Sequence, residues 1–139
     1  MRHLAYAQSQ FFNRRQLKTL ERLGDIIIPG DNLFPSFSAT GCIQYIDQLM
    51  EVTDSADVRD FGLLMTLLSF LPEFLIHQLL VLIQQQHRVP NFIGGPMRLL
   101  QIALHGIVMS LYYSNKTAES YRGSKVFEVI DYHVSCKTN

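Results

Sequence analysis

The sequence predicts an all-α fold, a compact bundle of about five helices with irregular arms at both ends. Three observations carry that expectation. Apolar residues recur at steps of three and four along most of the chain, the period that lines them up on one helical face. Proline and glycine fall between those stretches, at Pro29-Gly30, Pro35, Pro72 and Gly94-Gly95-Pro96, where they stop or start helices. Finally, 139 residues of which 47% are hydrophobic suffice for one core but not two. Residues 1–139 are therefore expected to form a single helical domain, with an N-terminal arm over 1–12 and a C-terminal tail over 116–139.

The first helix is expected over Asn13 to Ile28. Leu17, Leu20, Leu23 and Ile27 form its apolar stripe, with Arg14, Lys18, Glu21, Arg22 and Asp25 mostly on the other side. Phe12 precedes the cap Asn13 as a hydrophobic staple would. Pro29-Gly30-Asp31 ends the helix, because a proline disfavours helical geometry in the residue before it. Ser36 or Ser38 can cap a second helix ending near Glu51. Ala39, Cys42, Ile43, Ile46, Leu49 and Met50 form its stripe, and Thr40, Gln44, Asp47, Gln48 and Glu51 the opposite face.

A third helix is expected over Asp54–Phe70, with Asp57 three residues after the cap and a core of Val58, Phe61, Leu64, Met65 and Leu68. A fourth runs over Pro72–Gln86. Both are apolar nearly all round, which places them at the centre of the domain or against a partner. Phe61 to Ile83 superficially suggests a membrane span. Glu73 and His77 would be costly in hydrocarbon, and the two apolar runs beside Pro72 are each only about ten residues, a length suited to buried helices. His87 to Pro96 reads as the longest loop, leading into a fifth helix, Pro96 to Ser114, that buries Leu99, Leu100, Ala103, Ile107 and Leu111. Lys116 to Gly123 is expected to be polar linker, and Lys125 to Val134, loosely alternating, an extended tail.

Little chemistry is visible in the residue pattern. Twelve basic and twelve acidic side chains give zero net charge, against the basic excess of a nucleic-acid binder. Charged residues are only 17%, which suggests surface covered by a partner chain or by lipid. His3, His77, His87, His105 and His133 lack the spacing that puts two ligands on one helix face. His77 and His105 read as core histidines. Cys42 and Cys136 read as separate thiols rather than a bridge, and Cys42 belongs to a buried stripe. Tyr112-Tyr113-Ser114 fits a core rim or an interface better than an acid–base site.

Gly94-Gly95 lacks the spacing of a phosphate cradle. Arg14-Arg15 superficially suggests a twin-arginine export signal, but Glu21, Arg22 and Asp25 interrupt the apolar run such a signal needs. Five bases against one acid over Met1–Arg22, and five acids against one base over Asp47–Asp60, form opposed patches that can steer a partner, and are also what caps and helix ends produce by default. No signal peptide or membrane-spanning helix is expected.

The pattern Asp25-x-Ile-Ile-Pro29-x-Asp31, followed by Ser38-Ala39, Gly41-Cys42 and Tyr45-Ile46-Asp47, resembles the gluconate 2-dehydrogenase subunit 3 family. Leu111-Tyr112-Tyr113-Ser114 resembles that family's closing helix. Such proteins are small accessory subunits of flavin-dependent dehydrogenases of the glucose-methanol-choline type. The resemblance implies a non-catalytic chain that binds a large flavoprotein subunit and supports its maturation or stability. It also implies that the FAD belongs to that partner, that a cytochrome c subunit belongs among the partners, and that membrane association runs only through them. The surface expected to meet the partner comprises Pro29, Gly30, Asp31, Phe34, Pro35, Tyr45, Asp47, Tyr112 and Tyr113, within an aromatic set that also includes Phe11, Phe12, Phe37 and Phe92. The alternatives are a stand-alone helical enzyme or metal protein, and a peripheral membrane protein using Phe61–Ile83.

Overall fold

The computed structural model describes residues 9–85 and 91–131, with side chains throughout except at 83, 84 and 91–99. All of its described regular structure is helical. The elements are α1 (Arg14–Ile27), α2 (Phe37–Thr40), a 3-10 turn (Cys42–Tyr45), α3 (Ile46–Met50), α4 (Ser55–Leu68), α5 (Glu73–Gln84), α6 (Asn91–Tyr112) and α7 (Val126–Val129). The all-α class holds, with four long helices and three short ones among the described residues.

Helix α1 starts where its sequence says it should. Asn13 and Gln16 form a reciprocal capping box, each side chain accepting from the other's backbone N–H at 2.9 Å. Gln16 also donates to Gly62 O at 2.8 Å, tying the first turn of α1 to α4. Phe12 is buried, and its ring meets Phe61 edge-on at 5.8 Å. Leu17, Leu20 and Leu23 enter the core as expected. Glu21, expected on the polar face, is buried as well.

The expected second helix is broken. Ser36 caps it, accepting from Ala39 N–H at 3.3 Å, but α2 stops after four residues at Gly41, which adopts φ +65. A left-handed residue ends a helix because its carbonyl turns out of line. The chain restarts as the 3-10 turn and α3, so Cys42, Ile43, Ile46 and Met50 still reach the core. Thr40, assigned to the outer face, is buried, and Ala39 is exposed. Gly41 has no room for a side chain: a Cβ there would lie 2.5 Å from Ala118 Cβ.

Asp54 caps α4 by accepting from Ala56 N–H at 2.8 Å, and Val58, Phe61, Met65 and Leu68 are buried. Pro72 precedes the first turn of α5, accepting from Leu75 and Ile76 N–H through its carbonyl. Helix α6 begins at Asn91, so the expected loop to Pro96 lies partly inside the helix. Pro96 is the sixth residue of α6, past its first turn, where a proline removes the backbone bond that residue 96 would otherwise donate to residue 92. The stripe of α6 is also displaced by about one position. Leu104, Val108, Leu111 and Tyr112 are buried, whereas Leu100 and Ile107 are half-buried and Ala103 is exposed. Leu99 lies outside the described side chains.

Residues 116–118, read as linker, seal the core: Ala118 is buried and donates its N–H to Thr40 O at 2.8 Å. The tail is not extended where it is described. Val126–Val129 form a helical turn, with Lys125 N–H donating to Glu128 Oε2 at 2.9 Å and Val126 buried. An alternation of only a few residues cannot separate strand from helix, and the pair at 125 and 128 supplies a helical start.

Gly24 lets α1 and α2 meet. A Cβ at Gly24 would fall well inside van der Waals contact with the fully buried Phe37 ring. Gly106 on α6 has nothing within 4 Å of such a position. Gly24→Ala should therefore lower stability by about 1–3 kcal/mol through overpacking. Gly106→Ala should raise it by about 0.5–1 kcal/mol through helix propensity. Thermal and urea unfolding of the two variants check both signs.

Candidate docking surfaces

The segment from Ile28 to Ser38 is a closed turn held by the Asp25 and Asp31 carboxylates through backbone partners. Asp31 N–H donates to Phe34 O at 2.8 Å, and the Asp31 carboxylate accepts from Leu33 and Phe34 N–H, both at 2.7 Å. Gly30 adopts φ +78, and a Cβ there would lie 2.5 Å from Ser36 N. Phe37 N–H donates to Ile28 O at 3.1 Å and closes the base of the turn. The Asp25 carboxylate reaches across from α1 to accept from Ser38 N–H at 2.8 Å, capping α2. Tyr112 then latches the turn to α6, its hydroxyl donating to Pro35 O at 2.6 Å.

The expected interface residues therefore have different roles. Pro29, Gly30, Asp31 and Pro35 build the turn; Phe34 is half-buried in it. Tyr112 is buried, and its phenol is pushed up to about 12, chiefly by desolvation and secondarily by Tyr113. Tyr45 is half-buried and donates to Thr117 O at 3.1 Å. The Asp47 carboxylate holds the N-terminal arm, accepting from the Ser9 hydroxyl and from Gln10 N–H. Of the wider aromatic set, Phe12 and Phe37 are core residues, and the Phe92 side chain lies outside the described residues. Tyr113, 48% exposed, stands beside the turn with its ring edge-on to Tyr112 at 5.3 Å. Leu33, which no sequence signal had singled out, projects from the tip and is 72% exposed.

A second apolar surface lies along α4 and α5. Leu63, Leu67, Phe70, Phe74, Val81 and Leu82 are all exposed, with Phe70 at 67% and Phe74 at 66%. Sequence reasoning identified these helices as apolar all round, but could not say which rings would point outward.

The arrangement offers little for catalysis. Among the described residues, no group of three or more His, Cys, Asp or Glu side chains comes together. His77, expected in the core, is exposed on α5; His105 is half-buried with Nδ1 3.1 Å from Gln101 O. His3, His87, His133 and Cys136 lie outside the described residues. Burial pushes the Cys42 thiol up to about 11, which keeps it protonated and unreactive at neutral pH. A groove of about 540 Å³ runs between Phe61 and Leu64 of α4 and Leu100, Ala103 and Ile107 of α6, with Asp57 and Asp60 at its edge. It holds no nucleophile–base pair. No family model, no curated protein and no solved structure matches this chain.

Two predictions follow from the turn. Tyr112→Phe removes the bond to Pro35 O and should cost about 1 kcal/mol in equilibrium unfolding, whereas Tyr113→Phe should be neutral within error. The Phe34 and Leu33 amides hold the Asp31 carboxyl below its ordinary 3.8. A depressed folded-state value contributes stability above the unfolded-state value and loses it as pH falls through the folded one. Thermal stability should therefore drop below about pH 4, and an Asp31→Ala variant should show a shallower drop there.

Proposed function

We propose that this chain is a non-catalytic accessory subunit that docks on a large flavin-dependent oxidoreductase of the glucose-methanol-choline type and supports its maturation or stability. The observation that supports this reading is the fate of the recognised pattern. Asp25, Asp31, Tyr45 and Tyr112 spend their polar groups on backbone atoms of the turn and its neighbours rather than converging on a cavity. The pattern makes a rigid turn with Leu33 at its tip and Tyr113 alongside. A preorganised loop that presents exposed apolar side chains loses little entropy on binding, which suits docking better than chemistry.

In this reading the chain carries no cofactor. FAD and the catalytic groups sit in the large subunit, and a cytochrome c subunit completes the assembly. The test is co-expression with a large flavoprotein subunit of the glucose-methanol-choline type from the same genome. The two should co-purify, and Leu33→Ser with Tyr113→Ser should weaken the complex at least about tenfold while leaving helix content intact. A flavin band or dehydrogenase turnover from the chain alone would overturn the proposal, as would no binding to that subunit at micromolar concentration.

A further inference from the structure

The corner between α4 and α5 combines two features. The first is an apolar surface that protrudes. Leu63, Leu67 and Phe70 are spaced four and three apart and share the outward face of α4. Phe74, two residues past Pro72, continues it onto α5, where Val81 and Leu82 are exposed as well. Between Asp60 and Gln85 the only fully charged side chain is Glu73.

The second feature is a cationic border. Arg15, Lys18 and Arg22 are spaced three and four apart on α1, so they line one face of that helix. Arg15 and Lys18 are exposed and Arg22 is half-buried. The Arg15 guanidinium lies over the Phe70 ring, 4.2 Å from its centroid, which joins the cationic face directly to the apolar corner. A guanidinium stacked by its face keeps its N–H edge for phosphate oxygens. Of the acids on α1 itself, Glu21 is buried and Asp25 accepts from Ser38 N–H at the turn; along the corner, Asp60 is ion-paired with Arg59 at 3.7 Å and Glu73 is exposed in the first turn of α5.

Neither helix can span a bilayer. With 14 and 12 residues, α4 and α5 measure about 21 and 18 Å against roughly 30 Å of hydrocarbon. No described helix is long and apolar enough to cross. Protruding phenyl rings and leucines beside lysine and arginine fit the boundary of an anionic bilayer, where rings enter the acyl region and cations meet headgroup phosphates.

We infer that the α4–α5 corner, with Phe70 and Phe74 as its anchors and Arg15, Lys18 and Arg22 of α1 as its electrostatic border, binds the surface of anionic phospholipid membranes. This contact is direct and uses residues apart from the docking turn, so it can fail without affecting the accessory-subunit proposal.

The test is flotation of the purified chain with phosphatidylcholine vesicles, with and without phosphatidylserine at about a third of the lipid, at low and high salt. The chain should float with the anionic vesicles and detach as salt rises, because screening weakens exposed charge attraction. Lys18→Gln and Arg22→Gln should each reduce partitioning about fivefold. Phe70→Ser with Phe74→Ser should abolish flotation while circular dichroism stays unchanged. If that pair loses helix, Leu67→Ser replaces it, with a partial loss of flotation expected. No flotation at low salt, or equal flotation with neutral vesicles, overturns the inference. So does a chain that ignores vesicles yet forms a dimer that Phe70→Ser and Phe74→Ser dissociate, since the face then serves two copies of this chain.

Discussion

The fold depends on the contact between Phe37 and α1 at Gly24. Phe37 is fully buried, and its ring occupies the space that any side chain at position 24 would fill. That contact fixes how closely α2 approaches α1. The Phe37 backbone is held from the same side, because its N–H donates to Ile28 O. Ring and backbone together set the exit path of α1, and the nine-residue turn that joins α1 to α2 has little remaining freedom. The positive φ at Gly30 and the Asp31 carboxylate bonded to two backbone amides are what a chain needs to reverse within so short a span.

From that contact the other elements follow by contiguity. The Tyr112 hydroxyl fastens the end of α6 to Pro35, and Asp25 caps α2 from α1, so three helices converge on one turn. Segment 116–118 then closes over Thr40 and Gly41, with Tyr45 bonded to Thr117. At the far end of α1 the Asn13–Gln16 capping box and the Gln16 bond to Gly62 set α4 against α1. The polar side chains most conspicuous in the sequence are thus used to fix backbone geometry. A site built this way favours shape over chemistry, and the turn with Leu33 at its tip is its product.

The α4–α5 corner shows the opposite economy. Its core side is filled by Met65, Leu68, Ile76 and Leu80, yet the outer side remains apolar. A domain of this size has too few elements to cover both faces of two adjacent helices. Arg15 partly shields Phe70, as a stacked cation does when no apolar neighbour is at hand. The low charged fraction of the whole chain has its structural counterpart here.

The sequence by itself determined the helical class, the cap residues Asn13 and Asp54, and the leucine face of α1 and the apolar face of the 42–50 segment, whereas the choice of Ser36 over Ser38 as a cap and the burial of Glu21 came with the tertiary structure. In those stretches polar and apolar residues alternate with strong contrast, so local periodicity assigns a face without reference to neighbours. Tertiary structure decided the rest. Gly41 breaks a continuous stripe because its left-handed geometry and the approach of Ala118 are set by residues more than seventy positions away. The displaced register of α6, the outward His77 and the inward Phe37 and Tyr112 have a common cause. Where a segment is apolar on every side, or a ring lies in a loop, the pattern has no contrast. Only the space left by neighbouring elements then selects which side chains are enclosed.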